Sequence, residues 1–143
     1  MMILDTNVVS ELIRPAPEPR VTAWLDSADH EEFAITAITA AELRVGVALL
    51  PAGQRRNRLH REVERLLDET FRDLILSYDA EATIPFAHII GVRKRSGQPI
   101  GFPDAQIAAI AIRHQSALAT RNVKDFAKLG LKLVNPWELD RSD

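Results

Sequence analysis

Four acidic residues far apart in the chain stand where chemistry is readily built: Asp5, Glu42, Asp104 and Asp125. The chain opens MMILDTNVVSEL, a short apolar run that stops at Asp5 and continues with Thr6 and Asn7. Asp5 either caps the helix that Val8, Val9, Leu12 and Ile13 begin, or stands at the carboxyl end of a buried strand, where open α/β sheets place their chemistry. Asp104 follows Pro103 at the head of the most apolar helical segment, and its structural alternative is again a helix cap. Glu42 lies within ITAITAAELRVGVALL, whose apolar surroundings make an unpaired buried charge costly; Arg44 or another arginine is its alternative partner. In ALATRNVKDF (117–126) an apolar strand ends at Thr120, and Asn122 and Asp125 follow in a turn, where such residues are also ordinary turn formers.

The conjunction says more than any one acid. Like charges about 4 Å apart repel by roughly 4 kcal/mol at an effective dielectric near 20, so several carboxylates in one cleft must be protonated or must share a cation. An all-oxygen donor set favours magnesium or manganese over zinc.

The elements that must bring these acids together are short. Apolar strand-like runs recur at Met2–Leu4, Phe33–Ile35, Leu74–Leu76, Ala117–Ala119 and Lys132–Val134, separated by helical patterns. That alternation predicts an α/β fold with a central parallel sheet covered by helices. Asp5 and the 120–125 group then emerge on one edge of the sheet, with Glu42 a short helical distance beyond the second strand. From Gln54 to Phe71, Leu59, Val63, Leu66, Leu67 and Phe71 form one apolar stripe, opposite Arg55, Arg56, Arg58 and Arg61. The segment Asp104–His114 is apolar almost all round and predicts a buried helix. Asp79 caps a helix running to about Ser96, which Pro85 kinks or delays.

Length and composition set bounds. A chain of 143 residues, 46% hydrophobic and 27% charged, is expected to fold as one domain over residues 1–143. Net charge is −2, so any nucleic-acid contact needs a local basic patch. The chain has no cysteine, which removes disulfides, thiolate metal sites and cysteine nucleophiles. With no targeting pattern and no run long enough to span a bilayer, a soluble cytoplasmic protein with no membrane partner is expected. A haloacid-dehalogenase-type phosphatase needs a second aspartate two residues after the first, and Asn7 stands there. Neither G-x-S-x-G nor a phosphate-cradling G-x-x-x-x-G-K is present.

Four blocks in order, ILDTNVVSEL, AITAAELRVGV, PDAQIAAIA and LATRNVKDF, resemble the PIN domain, most closely the VapC and FitB toxin type of bacterial toxin–antitoxin modules. The resemblance covers essentially the whole chain. It implies a three-layer α/β/α domain with about five short parallel strands, and a Mg2+-dependent endoribonuclease (Mn2+ as an alternative ion). Asp5, Glu42 and Asp104 match the family's first three acidic positions and are the implied metal ligands. The fourth falls on Asn122 or Asp125, which bears on a second ion, and the free enzyme is expected to hold one magnesium weakly. Glu42 or Asp125 would orient or deprotonate the attacking water. Thr120 matches the hydroxyl residue near the cleft and, with Arg121 and Lys124 flanking it, is a candidate for holding RNA. The helical arginines and the run Arg93–Arg95 are further candidates, each of which also reads as a solvated face.

The resemblance also implies partners: a homodimer, and a cognate antitoxin that lays an amphipathic segment into an apolar groove. Such pairs assemble as a dimer of heterodimers that grips operator DNA through the antitoxin. Trp24, Leu25, Leu49, Leu50 and Leu59 line that groove or belong to the ordinary core. The alternative function is a weakly or non-nucleolytic subunit of the DNA-binding complex, acting in transcriptional regulation.

Overall fold

The computed structural model describes residues 1–28 and 32–139. Five strands, β1 (Met2–Leu4), β2 (Phe33–Thr36), β3 (Ile75–Leu76), β4 (Ala117–Ala119) and β5 (Leu133–Val134), form one sheet in the order β3-β2-β1-β4-β5. Every pairing is parallel, with Met2 opposite Phe33 on one side and Ala117 on the other. A parallel sheet is buried on both faces, which is why these strands are short apolar runs without polar alternation. The predicted strands are all present, β2 one residue longer and β3 and β5 one residue shorter than the sequence suggests.

Side-chain alternation sends the strand residues into two separate cores. Met2, Leu4, Ile35 and Ala119 pack on one face with α1 (Thr6–Glu11), α2 (Pro19–Ser27), α3 (Ala37–Ala48) and α4 (Gln54–Arg65). Ile3 and Leu118 pack on the other with α5 (Thr83–Arg95) and α6 (Phe102–Arg113). In α6 every residue from Ile107 to Ala111 is fully buried, as its all-round apolar pattern requires.

One local expectation is corrected and two are sharpened. The Gln54–Phe71 pattern is not one α-helix: α4 gives way at Leu66 to a π-turn through Thr70, with Phe71 N–H donating to the Leu66 carbonyl, and the wider turn buries Leu66, Leu67 and Phe71. Of the two effects expected of Pro85, delay is the one seen: α5 starts only at Thr83, which leaves the proline in the first turn, where the backbone N–H has no intrahelical partner in any case, and nothing is kinked. Asp79 caps the turn before α5, its Oδ1 accepting from Ala82 N–H at 2.9 Å.

The chain leaves β1 toward β2 and β3 on one side and reaches β4 and β5 on the other. The strand order therefore reverses between β1 and β4, and the crevice beyond their carboxyl ends is where such sheets bind ligands.

Candidate active site

The residue after β1 is Asp5 and the residue after β4 is Thr120, so the switch point brings together positions 115 apart in sequence. Thr120 Oγ1 donates to Asp5 Oδ2 at 2.7 Å, and Thr6 N–H donates to Asp5 Oδ1 at 2.8 Å. Both readings of Asp5 hold at once, since it caps α1 and stands at the sheet's reactive edge. Burial pushes its carboxyl pKa up; the two hydrogen bonds oppose that, and the charges of Glu42 and Asp125 reinforce it.

Asp104 occupies the first turn of α6, but the cap position is Gly101 and no side chain caps the helix. Its carboxylate is thus not spent on the backbone, and capping is excluded as its role. Its pKa is raised to about 6, first by burial and then by the negative charges of Asp5, Asp125 and Glu42. The four acids therefore share one electrostatic neighbourhood, and among the described residues none of them pairs with a lysine or arginine.

Glu42 departs from expectation: it is exposed on α3, and the apolar residues on its own face, Val45 and Leu49, are exposed with it, while Leu43 and Val47 take the buried side. Its alternative partner is otherwise engaged, because Arg44 forms a two-pronged pair with Glu64 at 2.9 and 3.0 Å. Instead Thr6 Oγ1 donates to Glu42 Oε1 at 2.8 Å. A hydroxyl has one proton, so the 3.0 Å contact between Thr6 and Thr39 requires Thr39 to donate to Thr6. Thr39 in turn lies 3.5 Å from Thr36 Oγ1, and both are fully buried. This threonine chain was missed in the sequence. Its only signal is two hydroxyls three residues apart in an apolar run, which must find partners once buried.

Asp125 is exposed on a short 3-10 turn, Val123–Phe126, anchored by the buried ring of Phe126. Asn122 precedes the turn without capping it through its side chain, and its N–H donates to Thr120 Oγ1 at 3.0 Å. It is Asp125 whose charge acts on both Asp5 and Asp104. Thr120 is fully buried with its hydroxyl engaged by Asp5 and Asn122, so it orients Asp5 and is not a substrate contact. Arg121 is exposed, its guanidinium 5.2 Å from the centre of the Trp137 ring, and its N–H donates to Asn7 Oδ1 at 3.4 Å. Lys124 is exposed on the same turn as Asp125.

The other basic candidates separate. Arg93 is buried and gives its guanidinium to backbone carbonyls, so it is no surface contact, whereas Lys94 and Arg95 are exposed. Arg55, Arg58 and Arg61 line a cavity of about 870 Å³ between α4 and the chain after α1, together with Leu12, Ile13 and Leu59; Arg56 faces a different hollow with Arg44. Trp24 packs on Phe33 and Leu25 on the same core, while Leu49 is exposed, so only Leu59 of the proposed apolar set lines this groove.

Among the described residues, no three acidic or histidine side chains close into a ready ligand shell. The donor set nevertheless suits a hard divalent cation, being carboxylate oxygen throughout, mutually repelling and without a basic partner. No helix among the described residues is long and apolar enough to cross a membrane.

The family model for the PIN domain matches residues 2–132. The chain is 42% identical to toxin FitB of Neisseria gonorrhoeae over 137 residues, covering 96% of this chain and 99% of the relative. It is 40% identical to VapC ribonuclease Y4jK of Sinorhizobium fredii over 138 residues, with the same coverage of 96% and 99%. A solved structure of FitAB bound to a DNA fragment superposes with a TM-score of 0.90 at 40% identity, covering 100% of both chains.

Proposed function

Because the chain belongs to the PIN-domain family, we propose that it is the toxin of a type II toxin–antitoxin pair: a divalent-metal-dependent endoribonuclease of the cytoplasm, silenced by a cognate antitoxin. The names of its relatives, a toxin and a ribonuclease, support the class. The observation that carries the chemistry is Asp104, loaded by three other carboxylates at the switch point without a compensating base.

Asp5 and Asp104 are the residues that would hold magnesium or manganese, with Glu42 beside them as the acid that works on the water and Asp125 as the fourth acid in preference to the neutral Asn122. Such an ion, when bound, polarises the scissile phosphate and lowers the pKa of a water toward neutrality. Thr120 and Thr6 N–H fix the Asp5 oxygens, so the first acid needs little reorganisation. Thr6 occupies Glu42 Oε1 and leaves Oε2 to take a proton from the attacking water. Arg121, spread on Trp137, and Lys124 supply positive charge for the RNA phosphates.

The antitoxin segment is assigned to the groove beside α4. Its apolar floor and arginine rim suit an amphipathic, acidic segment, and α1, six residues or about 9 Å long, separates that groove from Asp5. Homodimerisation would join two such pairs into a dimer of heterodimers. The DNA-bound relative supports operator DNA as a partner of the complex, and the chain's own charge of −2 leaves that contact to the antitoxin.

The test is cleavage of RNA by metal-stripped protein with and without added Mg2+ or Mn2+. Cleavage that returns with metal and disappears in Asp5→Asn is expected. Inactivity under every metal, in a complex that still binds DNA, would establish the regulatory alternative instead.

A further inference from the structure

Arg93 is 7% exposed, and a buried guanidinium demands a reason. Its Nη2 donates to the carbonyls of Asp125 at 2.7 Å and Ala127 at 2.9 Å, and its Nη1 to the carbonyl of Gln98 at 3.4 Å. No carboxylate pairs with it among the described residues. A cation placed only to neutralise would face an acid; this one faces the main chain of the turn that carries Asp125. Two of its bonds hold the end of that turn, at Asp125 within it and at Ala127 just after it.

The anchor for this guanidinium is itself firm. Arg93 stands in the last turn of α5, and the helix closes with Gln98 N–H donating to the Arg93 carbonyl at 3.0 Å and Gly97 N–H to that of Lys94 at 3.2 Å. Gly97 takes φ of 73°, the left-handed conformation such a closure requires. The turn it grips, by contrast, is one 3-10 turn held otherwise by the Phe126 ring. Its exposed acid is repelled by Asp5 and Asp104. Left to itself, repulsion would swing Asp125 toward solvent.

We propose that Arg93 is a positioning residue for the reaction: by fastening the backbone of the Val123–Phe126 turn to the end of α5, it holds the Asp125 carboxylate within the acid cluster. The inference rests on the reading of Asp125 as a metal-site acid. Groups that orient ligands in this indirect way typically change metal affinity ~10–100-fold when removed.

The experiment is a double-mutant cycle on the full chain: wild type, Arg93→Gln, Asp125→Asn and the pair. Mn2+ affinity is read by calorimetry, and backbone amide exchange over 122–127 by mass spectrometry. Arg93→Gln should weaken Mn2+ binding about tenfold in the wild-type background and hardly at all beside Asp125→Asn, with faster exchange confined to 122–127. Arg93→Lys, which keeps a donor and a charge, should recover part of the affinity. Equal losses in both backgrounds, or exchange that rises across the whole molecule, would make Arg93 a generic stabilising residue and overturn the proposal. Should the wild type bind no Mn2+, the metal reading itself fails, and the exchange pattern then decides whether the clamp exists.

Discussion

At the residue scale, Asp104 ties stability to pH. An acid whose folded pKa lies above its unfolded value stabilises the fold while protonated. The contribution is full below 3.8 and is lost as pH rises through about 6. Chelated protein should therefore melt higher at about pH 5 than at about pH 7.5, through this group by less than about 1 kcal/mol after allowance for its partial exposure. Thermal melts with EDTA check it: Asp104→Asn should remove this part of the pH dependence, and should also abolish Mn2+ binding. Protons and metal compete for the same oxygens, so Mn2+ affinity in the wild type should fall as pH drops below about 6. Thr6 offers a second prediction. Thr6→Val keeps the shape of the side chain but frees Glu42, so kcat should fall by ~10–100-fold with little change in RNA affinity, as expected for a group that orients a general base. A change confined to RNA affinity would instead make Thr6 a substrate contact.

At the element scale, α6 carries both the core and an acid. Ile110→Ala should cost about 2–5 kcal/mol, measured by chemical denaturation, because the site is fully buried and cannot collapse freely. Ile84→Ser on α5 should change stability by less than ~0.5 kcal/mol, since that side chain is 68% exposed. The contrast also marks what could be read from residues alone. Strands β1 and β4 are buried on both faces, so their apolar runs stop where the polar chemistry starts, and Asp5 and Thr120 were visible as their end points. The all-round apolar pattern of 104–114 likewise announced α6. Glu42 misled, because the apolar residues on its own face of α3, Val45 and Leu49, are exposed rather than buried, and its hydrogen bond reaches back 36 positions to Thr6. Arg93 misled for the same reason: in RKR it looks like its exposed neighbours, and only contacts 32 and 34 positions onward reveal its role.

At the scale of the whole molecule, two charged regions divide the labour. The acid cluster sits at the switch point, whereas the arginines of α4 rim a groove one short helix away. Reversing charge there with Arg58→Glu and Arg61→Glu should weaken capture of the antitoxin at least tenfold, by loss of attraction and gain of repulsion, and leave metal-dependent RNA cleavage by the free protein within about twofold. Pull-down affinity and cleavage rate, measured on the same preparation, separate the two effects. Loss of cleavage together with capture would place the groove within the RNA path. The topology also governs when activity can begin. The central strand is made first, yet its neighbour β4, which supplies the hydroxyl fixing Asp5, is made 115 positions later. A nascent chain on the ribosome therefore lacks a competent centre until β4 has emerged, and a product cut short before β4 is inert. Translation thus delivers the first acid without its partners, and the cutting edge forms only once β4 and the turn behind it arrive, when a waiting inhibitor can already meet it.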